Sequence, residues 1–281
     1  MRAFRIAYDG RPYAGFQRQP DVPTVEDALF DALRDLDVLD GDVPPRYAAA
    51  GRTDAGVSAV AQTVAFAAPD WLTPAALNGT LPGTVRAWAS ADVGDDFHAT
   101  HDATRRTYRY HLYAPTLDDG RARAALDALA GEHDYHNLTP DDEGTVRRLE
   151  TACDRDGDFL VVTVAAGGFT RHLVRRLVSL VRAIGCGESD LDRVDRVLDP
   201  DPLNGPAGVP TAPATPLLLA DVTYPGVAFV PDSDAVESAR DVFGERRVEA
   251  RVAARVTRDL ESEVGDGGRV GDGDSDTGDG T

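Results

Sequence analysis

The chain contains no lysine: all 29 of its basic residues are arginine. Cysteine is nearly absent too, with Cys153 and Cys186 far apart and outside any metal-ligand spacing. That excludes a disulfide framework and a thiolate metal site, and leaves two incidental thiols of an intracellular protein. His98 and His101 stand close in sequence, but no Cys or third ligand follows at usable spacing, so no metal is expected. No apolar run approaches the ~18 residues of a membrane-spanning helix. The opening "MRAFRIAYDG" goes straight into a strand-like alternation and lacks a signal h-region, which points to the cytoplasm. No motif for a nucleotide cofactor is present, and no cofactor is expected.

What is abundant is acid. Asp and Glu total 48, giving a formal net charge of −19 in 281 residues. An acidic, lysine-free, alanine- and valine-rich composition resembles that of proteins from salt-accumulating halophiles. There a carboxylate-rich surface stays hydrated while salt screens its self-repulsion. Taken alone, the balance argues against nucleic acid as a partner, since phosphate binding favours basic surface; local clustering of arginine is what decides.

The length suits one large domain or two small ones. Residues 4–8 alternate as a strand and end in the turn-like "DGRPYAG". "TVEDALFDALRDLDVL" predicts a helix with Thr24 as N-cap, Asp27 three residues on, and Val25, Ala28, Leu29, Ala32, Leu33 and Leu36 on one stripe. Strands are predicted at 62–66, 104–113, 159–166 and 216–224, and helices at 120–130 and 172–185, the latter closed by Gly185. Elements recur in both halves, which predicts two α/β units, 1–105 and 106–230. Residues 233–263 carry a charged helical pattern whose clearest stripe is Val252, Val256 and Leu260, so 231–281 reads as an acidic helical extension with a disordered tail. In that tail Asp272, Asp274 and Asp276 mimic half a calcium loop, but no Glu follows, and a solvated tail is the reading.

The chemistry centres on "AAAGRTDAGVSAVAQTVAF", residues 48–66. Arg52 and Asp54 stand two apart in a glycine-hinged loop with apolar surroundings. A carboxylate there is costly unless paired. Spacing alone leaves two readings open, a structural ion pair with Arg52 or a reactive carboxylate. A phosphatase-type aspartate at Asp9 in "YDGR" fails on its own terms, because Arg11 occupies the second position of the D-x-D it requires.

The loop resembles the A-G-R-T-D-x-G-V-H-A signature of the tRNA pseudouridine synthase A family. Other blocks are similar to that family in the same order: "YDGRPYAGFQRQP", "TVEDAL", "LNGTLP", "FHATHDATRRTYRYHLY", "LAGEHDYHNLT", "AGGFTRHLVRRLVSLVRAIGCGE" and "APATPLLLADVTY". They span roughly residues 4–225. Departures are Ser58 where the family has His, Thr100 for Arg, Thr170 for Leu, Leu173 for Met, and Pro216 for Gly.

The resemblance implies an α+β fold: two similar units sharing a mainly antiparallel central sheet with helices packed on it, and the active-site cleft between them. It implies isomerisation of uridine to pseudouridine in the anticodon arm of tRNA, at positions 38, 39 and 40, by a homodimer. Asp54 is then the nucleophile, as in a retaining glycosidase. Arg175 pairs with it, Tyr108 stacks on the flipped base and its hydroxyl can relay the C5 proton, Leu217 packs against the base, and Arg52 holds the loop or helps flip it. Helical geometry places Arg171, Arg175 and Arg182 on one face, with Leu173, Leu177, Leu180 and Ile184 opposite. Arg11, Arg18, Arg105, Arg106 and Arg171 are the expected grip on RNA, with Arg109 in the same cluster. The alternative is a non-catalytic tRNA-binding or tRNA-folding protein on the same scaffold, whose mark would be loss of Asp54, Tyr108 or Arg175; all three are present.

Overall fold

Strand structure begins at the second residue. In a computed structural model, which describes residues 1–203 and 205–266, the first half runs β1 (Arg2–Tyr8), α1 (Val25–Asp35), β2 (Ala48–Ala49), β3 (Ser58–Phe66), α2 (Pro74–Asn78) and β4 (Val85–Asp92). The second half runs β5 (Arg105–Tyr113), α3 (Asp119–Leu129), β6 (Gly131–Asp134), β7 (Val146–Asp156), β8 (Phe159–Ala166), α4 (Leu173–Gly185), α5 (Asp192–Leu198), β9 (Leu217–Thr223), β10 (Val230–Pro231) and α6 (Ser233–Asp266).

The strands form one sheet in the order β10-β4-β1-β3-β9-β5-β8-β7-β6, with β2 paired to β3 beside that path. Every pairing is antiparallel except β3 with β9, which match in parallel at Ser58↔Leu218 and Ala59↔Leu219. β9 comes late in the chain yet lies between β3 and β5. It therefore joins the strands of the first half to those of the second. The fold is a mixed α/β arrangement around a large, mainly antiparallel sheet.

Local chemistry explains several elements. Thr24 accepts from Asp27 N at 3.2 Å and donates to the Asp27 carboxylate at 2.5 Å, so Thr24 caps α1 as the sequence predicts. Leu29, Phe30 and Leu33 are at most 1% exposed, which seats α1 on a core with Phe4, Ile6 and Phe66. On α4, Leu173, Leu177, Leu180, Val181 and Ile184 are buried against Tyr110, Leu126, Leu160 and Val162. Burying each such side chain is worth about 2 kcal/mol.

The structure departs from the sequence reading in places. Gly185 does not close α4; it is the last helical residue, and a Cβ there would meet Leu117 Cγ at 2.6 Å. The left-handed turn falls at Gly187, φ 75°. Arg171 precedes α4, so only Arg175 and Arg182 share the helix's polar side. β4 and β7 are strands the sequence reading missed. In β7, "VRRLETACDRD", only Leu149 and Cys153 are buried, so its charged residues hide the alternation.

Residues 1–239 form one compact unit, and residues from Arg240 onward form a second. In the second, Val252, Val256 and Leu260 are all exposed along α6. The tail read as disordered lies, from residue 267, outside the described residues.

Candidate active site

The loop between β2 and β3 is strapped down on both sides. Thr53 accepts Phe16 N at its carbonyl, 3.1 Å, and shares a hydrogen bond between its hydroxyl and Tyr8 OH, 2.7 Å. Gly56 N donates to Tyr13 O at 3.2 Å, and Gln62 Nε2 donates to Gly51 O at 2.7 Å. Gly10 packs so closely on this loop that a Cβ would fall 2.0 Å from Val57 O. Ser58, one of the departures from the family pattern, receives Gly10 N on its hydroxyl at 3.0 Å and so fastens the same two segments.

These restraints present the Asp54 carboxylate, 30% exposed, to the start of α4. Arg175 Nη1 donates to Asp54 Oδ2 at 2.8 Å. Arg175 Nε donates to Ala212 O at 2.8 Å, so the guanidinium is fixed at both ends. Arg52 is the partner that spacing offered, but it is exposed and makes no ion pair or hydrogen bond among the described residues. Adjacency in the chain does not place the two side chains together: Asp54 faces Arg175 while Arg52 stands exposed.

Around Asp54 opens a groove of about 980 Å³ lined by Arg52, Tyr108, His172, Arg175 and Leu217 among others. Tyr108 alternates with Arg106, Tyr110 and Leu112 on the inward face of β5. Its ring stands edge-on to Phe169, 5.0 Å between centroids at 89°. Burial pushes the Tyr108 hydroxyl up to about 12; the Arg106 charge opposes this and the Asp54 charge adds to it. Leu217, the first residue of β9, is 6% exposed.

The remaining predicted arginines separate by what holds them. Arg18 lines the groove while pairing with Asp27 at 2.9 Å and lying over the Phe30 ring. Arg171 lines it too, paired with Asp141. Arg106 is buried and donates to the carbonyls of Ala50, Thr100 and Gly167, tying β5 to the start of the loop that carries Asp54 and to its neighbours. Arg11, paired with Asp9, and Arg105, paired with Glu150, are not among the groove residues. Of the other departures, Thr100 donates its hydroxyl to Ala49 O at 2.6 Å, and Pro216 O accepts His111 N at 3.1 Å. The Thr170 hydroxyl is buried on the groove wall without a partner among the described residues. Sequence reasoning missed His172, whose Nε2 lies 3.6 Å from Asp54 Oδ2; its one signal was a position three residues before Arg175.

An anionic carboxylate locked to a cation, beside an aromatic ring and an apolar side chain in one groove, suits covalent attack on an electron-poor carbon beneath a stacked planar ring. Residues 125–225 match a family described as tRNA pseudouridine synthase. A tRNA pseudouridine synthase A of Haloarcula marismortui is 60% identical, covering 91% of this chain and 97% of the relative. One from Natronomonas pharaonis is 62% identical over 91% of this chain and 97% of its own length. Outside the halophiles, the Methanosarcina mazei protein of the same name is 36% identical over 92% of this chain and 97% of its own. Among solved structures, an archaeal box H/ACA Nop10–Cbf5 complex aligns at TM-score 0.35 and 13% identity, covering 66% of this chain and 44% of that one, too low to bear on the fold. With relatives this similar along nearly the whole chain, the protein belongs to the tRNA pseudouridine synthase A family.

Proposed function

We propose that the protein isomerises uridine to pseudouridine in tRNA, acting on the anticodon arm at positions 38, 39 and 40, with Asp54 as nucleophile. The observation that carries the reading is the Asp54–Arg175 pair at 2.8 Å in a groove that also holds Tyr108 and Leu217. An Asp54 oxygen attacks C1′ of the ribose, and the C1′–N1 bond breaks with its pair leaving on the uracil as an anion. The base turns over. Its C5 then bonds to C1′ while the C1′–O pair returns to Asp54, and C5 finally gives up its hydrogen as a proton. Atoms are conserved and nothing is oxidised.

Arg175 holds the carboxylate in position before attack and receives it back after the second displacement. Tyr108 and Leu217 hold the extruded ring between an aromatic and an apolar surface. Flipping the uridine costs a few kcal/mol of stacking, and Arg52, unpaired at the groove, is placed to fill the space the base leaves. Arg18 and Arg171 contact phosphates at the groove, with Arg11 and Arg105 farther out; exchanging their carboxylate partners for phosphate is the route by which an acidic protein grips RNA. Arg106 serves the grip by holding the loop.

We read the groove as lying between two α/β units, residues 1–105 and 106–230, with residues 231–281 as an extension. The buried core supports this, because one large cluster is drawn chiefly from residues 4–103 and the other from 110–217. The working form is a homodimer in the cytoplasm. Among the described residues no helix is long and apolar enough to cross a membrane, which fits that location.

The test is release of tritium from uracil C5 of an unmodified tRNA, incubated with the protein in high salt. Release into water, stoichiometric with the new nucleoside, is expected. Binding of tRNA without release would establish the non-catalytic alternative instead.

A further inference from the structure

His172 has a backbone that its residue type does not favour. It sits immediately before α4 in the left-handed region, φ 62° and ψ 0°. Such a conformation in a non-glycine residue persists where the surroundings over-determine it, and such residues gather at functional sites. A capping role does not account for it. His172 O accepts Arg176 N at 2.9 Å, which makes it the N-cap, yet its side chain makes no capping hydrogen bond. The imidazole instead lines the groove, with Nε2 3.6 Å from Asp54 Oδ2.

The reaction proposed above, on which this inference rests, ends with a proton to be taken from C5. C5 and the Asp54 oxygen approach the same carbon, C1′, in turn. A base that reaches the C5 hydrogen therefore has to stand within a few ångströms of the nucleophile. Arg52, Arg106 and Arg175 are cations and accept nothing. Burial pushes the Tyr108 hydroxyl up to about 12, which disfavours the phenol as the resting acceptor of the C5 proton. His98 and His101 line the same groove, their rings tilted against each other with centroids 4.2 Å apart, without reaching the Asp54 carboxylate. His172 does reach it.

We propose that His172 is the general base that takes the C5 proton. When C5 has bonded to C1′ it carries four single bonds, and C6 is doubly bonded to N1. Neutral His172 Nε2 takes the hydrogen as a proton, and the C5–H pair becomes the C5=C6 bond. The former C6=N1 π pair moves to N1, which takes a proton from water. The hydroxide left behind neutralises the imidazolium, and the site is restored. The charged groups that line the groove with the ring are Arg52 and Asp54 from the loop, Arg171 and Arg175 on its own segment, Asp141 bound to Arg171, Arg106 on β5, and Arg18 and Glu26 at its far side.

His172→Asn and His172→Gly test this, since both residues accept a left-handed backbone. Each is expected to lower single-turnover tritium release about 100-fold, the lower end of what a positioned base contributes, with tRNA affinity unchanged. Deuterium at C5 should slow the variants several-fold more than the native protein, because C5–H cleavage becomes the slow step. Added imidazole should restore part of the rate in His172→Gly. Both variants within about threefold of native, or a loss without a larger isotope effect, would overturn the assignment. Absence of release from the native protein would overturn the isomerisation itself, whereas native release that survives both substitutions sinks only the role of His172.

Discussion

Arg175 and Asp54 stand 121 residues apart in the chain and 2.8 Å apart in the fold, with the guanidinium's other edge donating to Ala212 O. One arginine thus fixes the carboxylate to α4 and α4 to the segment before β9. Arg175→Ala leaves a partly buried carboxylate without its cation, and tritium release should fall at least 100-fold, roughly 3 kcal/mol of barrier. Arg175→Lys supplies a point charge without the fork that reaches Asp54 Oδ2 and Ala212 O together, so it should recover only part of the rate.

Arg106 has a different purpose, and its removal should read out differently. Its donors satisfy the carbonyls of Ala50, Thr100 and Gly167, with Ala50 next to the catalytic loop. Arg106→Leu strands those acceptors and should destabilise the protein by about 2–4 kcal/mol, measured by urea unfolding in high salt. Release should fall together with stability and recover in part when the temperature is lowered.

How much of this was legible in the residues depends on how local each feature is. The Thr24 cap, the α1 stripe and the face alternation of β5 are encoded within a few positions, and each appears where periodicity puts it. Of the two readings that spacing left open, the Arg52–Asp54 ion pair does not form, because two neighbours in a loop need not point together. Arg175 was reached only through family resemblance, since no local rule joins residues on a loop and a helix 121 positions apart. The left-handed backbone of His172 carries no sequence signal, as nothing marks a histidine for that region. β4 escaped because its alanines blur the alternation, and β7 because its exposed face tolerates charge.

Gly10 makes a close approach that no other residue permits. A Cβ would lie 2.0 Å from Val57 O, so Gly10→Ala has to push the catalytic loop away. About 1–3 kcal/mol of stability should be lost, and release should drop more than tRNA binding does, because the displaced loop carries Asp54.

Alkaline pH gives a test independent of catalysis. Burial pushes the hydroxyls of Tyr108 and Tyr224 up to about 12. Below pH ~10, the ordinary phenol value, both states hold these protons and stability is unaffected. Above it the unfolded chain ionises while the folded chain does not, so stability should fall as pH rises from about 10 to about 12. Urea midpoints at pH 9 and pH 11 measure the drop, and Tyr108→Phe should make it shallower.

The most direct measurement is single-turnover tritium release from C5-labelled, unmodified tRNA by Asp54→Asn alongside the native protein, with tRNA affinity measured on the same samples. Asparagine keeps the size and the contact with Arg175 but is no nucleophile. Native-like affinity with release lost beyond detection is the predicted result; release within tenfold of native from the Asp54→Asn protein would contradict the account.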